Sequence, residues 1–235
     1  KSYNSQIGVP LSVLMRAREV KESLKEAGIY VTGEMTSLGR VIGPQIGSIT
    51  NLGDAHQENF GSLGEKLNEK IGLCSNSHTI IYNSAYTDVG LALKEKYPEA
   101  TLVDSAAQKE AYGFFTDRAS QENAATAMAL CDVLGFDHSQ TVARLAELQP
   151  VAMRLELKEG LSNSLIINDS YNSDINSLSI ALDYLNSVAG GRQQTLILSD
   201  ILQSGYPEAE LYVRVAELVA RSQVARLIGV GENIR

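Results

Sequence analysis

Three groups in the first half of the chain have the types and spacing for metal-assisted phosphate chemistry. Glu26 stands in Glu26-Ala27-Gly28, at the expected end of a strand. His56 stands in Gly53-Asp54-Ala55-His56-Gln57-Glu58-Asn59-Phe60, just after another strand, and Lys70 lies on the helix that follows. Carboxyl ends of parallel strands are where α/β folds place ligands, so Glu26 and His56 can converge there. A carboxylate oxygen and an imidazole nitrogen both ligate divalent cations, with waters and phosphate oxygens completing the shell. Taken singly, each has a plainer reading: a solvated carboxylate, a capping or loop histidine, a surface lysine. Their expected convergence carries the metal reading.

The elements that must position these groups alternate between short apolar strands and helices, the pattern of an α/β fold with a mostly parallel sheet. A strand is expected over 46–50, a helix over 61–73 with Leu63, Leu67 and Ile71 four residues apart, and a strand over 79–82. Helices are expected over 90–97, ending at Pro98, and over 120–134, with Gly135 just past the end. The stretch 102–117 carries little apolar periodicity. A second α/β unit begins near Met153, with the boundary at Gln149-Pro150. In it, 153–157 and 165–168 read as paired strands around the turn-like 159–163. A helix over 173–188, a strand over 195–199, a helix over 208–220 and a strand over 224–230 follow.

Composition narrows the function classes. With 20 Lys and Arg against 28 Asp and Glu, the net charge is −8, which argues against a broad nucleic-acid surface but not against a small anionic ligand. Cys74 and Cys131 match no metal or redox spacing and read as small buried apolar residues. No apolar run approaches the ~20 residues of a membrane span. The polar opening from Lys1 to Gln6 does not lead into a signal peptide, so a cytoplasmic protein is expected.

Four stretches carry a family resemblance: Ser2-Tyr3-Asn4-Ser5-Gln6-Ile7-Gly8-Val9-Pro10, Glu26-Ala27-Gly28, Asn51-Leu52-Gly53-Asp54-Ala55-His56 and Asn168-Asp169-Ser170-Tyr171-Asn172. Together they resemble the Mur ligases, in the branch that adds D-alanyl-D-alanine to UDP-N-acetylmuramoyl-tripeptide, including the form fused to an alanine racemase. The resemblance covers nearly the whole chain and is weakest between Leu102 and Phe115.

The resemblance implies a central ATPase-type domain over 1–150 and a partial Rossmann-like C-terminal ligase domain over 151–235. It implies ATP and Mg²⁺ as cofactors and amide-bond formation through an acyl phosphate in peptidoglycan synthesis. Glu26 and His56 resemble the family's Mg²⁺ ligands, and Lys70 falls at its carbamylated, catalytic lysine. Asn123 matches an asparagine near the adenine, although Ser120 replaces a neighbouring asparagine of many relatives. Arg154 and Asp200 resemble second-domain residues that approach the nucleotide when the domains close. Asn4, Asp169, Tyr171 and Asn172 mark signature loops with no individual role.

The family's P-loop should precede Lys1, and its UDP-sugar domain and the rest of its last domain are expected to be missing, with no racemase portion recognisable. Gly229-Val230-Gly231 lacks the P-loop lysine and reads as a strand-end turn, so phosphate binding by these residues alone should be weak. Two alternatives stand beside the cell-wall ligase: an inactive fragment that binds a nucleotide or partner weakly, and a ligase of the folylpolyglutamate synthase type. The Asp169-Ser170-Tyr171-Asn172 loop favours the cell-wall ligase.

Overall fold

The computed structural model describes residues 4–15, 22–52, 57–148, 151–202 and 204–234. Backbone contacts divide the chain into two compact units. The first draws on Lys1–Leu52, Asn59–Lys109 and Glu122–His138, and the second on Gly53–Glu58, Glu110–Gln121 and Ser139–Arg235.

The first unit opens with α1 (Gly8–Leu14) and α2 (Glu34–Ile42), then β1 (Ile46–Ser48), α3 (Leu63–Gly72), β2 (Thr79–Tyr82), α4 (Thr87–Lys96) and β3 (Thr101–Asp104). The strands form a parallel sheet in the order β1-β2-β3, with Ile46 opposite Thr79 and Ile80 opposite Leu102. Parallel neighbours need a crossover, and α3 and α4 supply the two. Ile49, Leu67, Ile71, Cys74, Ile80, Val89 and Leu93 form the core under them. Leu63, the first of the expected stripe, stays about half exposed because it sits at the very start of α3. Ser62 caps that helix by accepting from the Glu65 N–H at 3.1 Å. A second cluster of Val9, Ile29, Met35, Leu38 and Phe60 ties α1 and α2 to the segment before α2. α5 (Arg118–Val133), most of which belongs to this unit, buries Ala124, Ala125, Met128 and Ala129 on one face, and α6 (His138–Leu145) falls in the second unit from Ser139 onward.

The second unit contains an antiparallel hairpin, β4 (Glu156–Glu159) with β5 (Leu165–Asn168), in which Glu156 faces Asn168. α7 (Ile175–Val188), β6 (Gln194–Ser199), α8 (Glu208–Arg221) and β7 (Val224–Val230) follow, with β6 and β7 parallel. Asp174 starts α7 through a capping box with Ser177. Leu178 and Leu182 of α7, Leu211 and Val215 of α8, Leu198 and Ile201 form this unit's core.

Several expectations shift. Glu26-Ala27-Gly28 does not end a strand: residues 22–30 have no regular secondary structure, and the first strand of the sheet is β1. The stretch 102–117 holds most of a short strand, β3, and 3-10 turns at Ser105–Ala107 and Lys109–Gly113, elements too brief to show a period. The apolar run 153–157 is mostly a turn, and the strand lies three residues later in the polar Glu156–Glu159. Among the described residues no helix is long and apolar enough to cross a membrane.

Candidate functional site

Each unit holds a group of the expected residues. In the first unit the segment 22–30 lies against the start of the chain. The Gly28 N–H donates to the Asn4 carbonyl at 2.8 Å, and Asn4 Nδ2 donates to Glu26 Oε1 at 3.2 Å. A Cβ on Gly28 would stand 3.2 Å from the Asn4 side chain, so glycine permits this close approach. The structure thus brings Asn4 and Glu26 together, with the Glu26 carboxylate exposed.

Lys70 is positioned by α3. Its ammonium donates to the Asn51 carbonyl at 2.9 Å, just past β1. Burial, reinforced by repulsion from Lys66, lowers its pKa from 10.5 to about 8. Lys66, one turn earlier on α3, is only 1% exposed, whereas Lys70 is half-buried. Beside them Glu69, also buried, accepts the Met35 N–H at the start of α2 at 2.9 Å. The sequence reading passed over Glu69; its adjacency to Lys70 was the available signal. No hydrogen bond or ion pair joins Lys70 to Glu26. Asn123 is exposed on α5, and His56 lies outside the described residues.

A cavity of about 430 Å³ opens at the other edge of this sheet, between Ser77-His78 before β2 and Lys96 to Ala100 before β3. It is far from the carboxyl strand ends and has no part in this site. Among the described residues no three His, Cys, Asp or Glu side chains gather. Of the three expected ligands, Glu26 and Lys70 lie among the described residues, and His56 does not. Oxygen and imidazole donors of that kind suit a hard divalent ion.

In the second unit the loop entering β4 is fastened to the loop leaving β5. Asp169 Oδ1 accepts the Leu155 N–H at 3.1 Å, and the Tyr171 N–H donates to the Met153 carbonyl at 3.3 Å. Glu156 Oε2 accepts from the Met153 N–H at 3.1 Å and from Asn168 Nδ2 at 3.4 Å. Arg154 lies over the Tyr171 ring, 4.3 Å from its centroid. Burial raises the Asp169 pKa, and the carboxylates of Asp117 and Asp174 add to it against the Leu155 hydrogen bond and Arg154. Glu156, expected only as part of the strand 153–157, is the second residue whose positioning part the sequence left unmarked. Asn172 is exposed and leads toward α7.

Asp200 follows β6 and is wrapped by the turn after β7. Oδ1 accepts from the Asn233 and Ile234 N–H groups at 3.1 and 3.0 Å, Oδ2 from the Glu232 N–H at 3.0 Å, and the Tyr212 hydroxyl donates at 3.3 Å. Burial acts to raise its pKa, but these donors outweigh it and hold the carboxyl below its usual range. Gly231, at φ 148°, passes so close that a Cβ there would collide with the carboxylate. Asp200 shapes this turn.

Residues 1–146 match the Mur ligase middle domain family. The chain is 26% identical over 258 residues to the UDP-N-acetylmuramoyl-tripeptide–D-alanyl-D-alanine ligase of Bacillus subtilis, covering 98% of this chain and 56% of that protein. It is 26% identical over 262 residues to the Escherichia coli ligase of the same name, covering 99% and 58%. Among solved structures, MurF from Acinetobacter baumannii superposes with a TM-score of 0.81 at 17% identity, over 99% of this chain and 57% of that one. The Thermotoga maritima MurF ligase in complex with ADP gives 0.72 at 14% identity, over 97% and 67%. The chain therefore has the fold of these structures and spans little more than half the length of the curated relatives.

Proposed function

The chain belongs to the Mur ligase family, and on that premise we propose that it is the middle domain and part of the last domain of an ATP-dependent ligase. The reaction is addition of D-alanyl-D-alanine to UDP-N-acetylmuramoyl-tripeptide in peptidoglycan synthesis. The observation that carries this reading is the match of 98–99% of the chain to relatives bearing that one name. The domain division follows at 1–150 and 151–235, and a nucleotide-linked substrate accords with a cytoplasmic enzyme. Nothing in these comparisons supports a fused alanine racemase, and the reading leaves it out.

In the proposed chemistry the terminal carboxylate of the tripeptide attacks the γ-phosphorus of ATP, giving an acyl phosphate and ADP. The amine of D-alanyl-D-alanine then attacks the acyl carbon, loses a proton, and inorganic phosphate leaves. Bound Mg²⁺ supplies positive charge that offsets repulsion between carboxylate and phosphate. Glu26, His56 and Lys70 are the residues that would hold it. Lys70 suits carbamylation: at a pKa of about 8 its neutral amine is roughly 300-fold more abundant at pH 7 than that of an ordinary lysine. The amine adds to CO₂ and releases a proton, which turns a cation into an anionic metal ligand. Asn4 orients Glu26. Asn123 lies by the adenine and Arg154 by the phosphates. Asp200 contributes by fixing the turn at 232–234, and Asp169, Tyr171 and Asn172 form the loop against which the Arg154 turn is fastened.

The test is phosphate release by the full polypeptide with ATP and UDP-N-acetylmuramoyl-tripeptide. Release that requires D-alanyl-D-alanine is expected. Release only with a folate and glutamate would replace this reading with folylpolyglutamate synthase chemistry. No turnover with either acceptor, from a polypeptide whose intact mass is 25.4 kDa, would leave the binding-fragment reading in its place.

A further inference from the structure

The turn that carries Arg154 is bent in a way that ordinary residues resist. Met153 and Leu155, on either side of it, have φ of 59° and 47°, values that side-chain-bearing residues adopt rarely and at a cost. Three hydrogen bonds fasten that conformation, one to Glu156, one to Asp169 and one from the Tyr171 N–H, and Asn168 of β5 in turn holds the Glu156 carboxylate. These three fasten the turn to its own strand or to the β5–α7 loop, so the two loops are set as one piece. What this piece presents outward is the Arg154 guanidinium stacked on the Tyr171 ring.

Burial does not explain the tyrosine. Its ring is 55% exposed, belongs to no core cluster, and its hydroxyl makes no hydrogen bond to the described residues. An exposed aromatic face does attract a guanidinium, whose planar and weakly hydrated group stacks well. A free arginine side chain loses much rotamer freedom when a ligand immobilises it. One already parked on a ring has lost part of that freedom beforehand.

We propose that Tyr171 is a positioning residue that holds Arg154 ready for the phosphates of the nucleotide, acting through its ring face and not its hydroxyl. The proposal rests on the ligase reading above, in which Arg154 approaches the nucleotide. The tyrosine of the signature loop thereby gains a role of its own. The loop's backbone shapes the arginine's turn, while the ring sets the arginine's direction.

The experiment uses the full-length ligase with four variants: Tyr171→Leu, Tyr171→Phe, Arg154→Ala and the double variant Tyr171→Leu with Arg154→Ala. Tyr171→Leu should lower kcat/KM for ATP about three- to fivefold, the range expected for one exposed cation–π contact, and leave KM for D-alanyl-D-alanine unchanged. Tyr171→Phe should restore the rate to within about twofold. In the Arg154→Ala background, Tyr171→Leu should cost nothing more, because the ring then has nothing to hold. Independently of activity, the Arg154 side-chain NH resonance should carry a ring-current shift that survives in Tyr171→Phe and vanishes in Tyr171→Leu.

Equal losses in Tyr171→Phe and Tyr171→Leu, or additive losses in the double variant, overturn the positioning role. A Tyr171→Leu enzyme as active as the wild type, beside a crippled Arg154→Ala, also overturns it, while the ligase reading stands. Full activity of Arg154→Ala would instead remove the arginine's nucleotide role and this proposal with it.

Discussion

Among the described residues Lys70 in the first unit makes a single hydrogen bond, to the Asn51 carbonyl, whereas Asp200 in the second accepts from three backbone N–H groups and a tyrosine hydroxyl. Their pKa values move in opposite senses with respect to charge. The Lys70 ammonium is made less stable by burial and by Lys66, and the Asp200 carboxylate is made more stable by its donors. A charge fully engaged by backbone groups is a structural part, because any new partner must first displace the old ones. A lysine whose pKa is lowered toward neutrality carries more of the reactive neutral amine. The contrast is between a charge that burial disfavours and one that its hydrogen bonds favour.

The sharpest break of that contrast is removal of Lys70. In the full-length enzyme, Lys70→Ala should reduce ligation by at least about 100-fold, as loss of a metal-site ligand does, while circular dichroism stays native; a fully active variant would end the assignment. Lys70→Met should be equally inactive yet melt at a higher temperature. The sign follows from linkage: with a folded pKa of about 8 against 10.5, the unfolded chain binds more protons between those values. Lys70 therefore weakens the fold at neutral pH, and the penalty fades as pH rises from about 8 toward 10.5. An unchanged or lower Tm for Lys70→Met would contradict this.

The same shift predicts a pH effect on activation. Enzyme depleted of CO₂ should regain activity on addition of bicarbonate, with recovery growing as pH rises through about 8, since only the neutral amine adds CO₂. Recovery independent of pH would count against Lys70 as the acceptor. On the other side of the comparison, Asp200→Ala should act mainly on the frame. Hydrogen exchange at the amides of Glu232, Asn233 and Ile234 should accelerate and Tm should fall; unaltered protection there would show that the carboxylate is not the cap. The smallest effect expected is that of Asn4→Ala, which removes one exposed hydrogen bond to Glu26. A change of about twofold to fivefold in the Mg²⁺ concentration for half-maximal rate is expected, read from a magnesium titration.

Sequence alone conveyed the second unit better than the first. α7, β6, α8 and β7 sit within two residues of where apolar period and turn residues place them, because each is long enough to repeat its pattern. α1, α2 and β3 were not foreseen. α1 opens with Gly8-Val9-Pro10, α2 is entered through Gly33 at φ 91°, and β3 is four residues long, so none displays a clear period. The hydrophobic character of 153–157 misled for a different reason: Met153 and Leu155 are apolar but belong to a bent turn, and tertiary hydrogen bonds overrode their strand preference. Among the site residues, the Asn4–Glu26 and Arg154–Tyr171 pairings join positions 22 and 17 apart in sequence, and only folding brings such partners together. Residue type also could not reveal that Asp200 already has its partners.

The β4–β5 hairpin has its anchored end at Glu156 and Asn168 and its turn at 160–164, four residue pairs away, or about 13 Å along the strands. Leu161 at the turn is 90% exposed. Everything that shapes the arginine turn lies at the anchored end, while the tip is met by Arg192, which donates to the Asn163 carbonyl at 3.3 Å. A fluorophore or spin label attached at Leu161 would report the motion of this unit during turnover without touching the groups being followed.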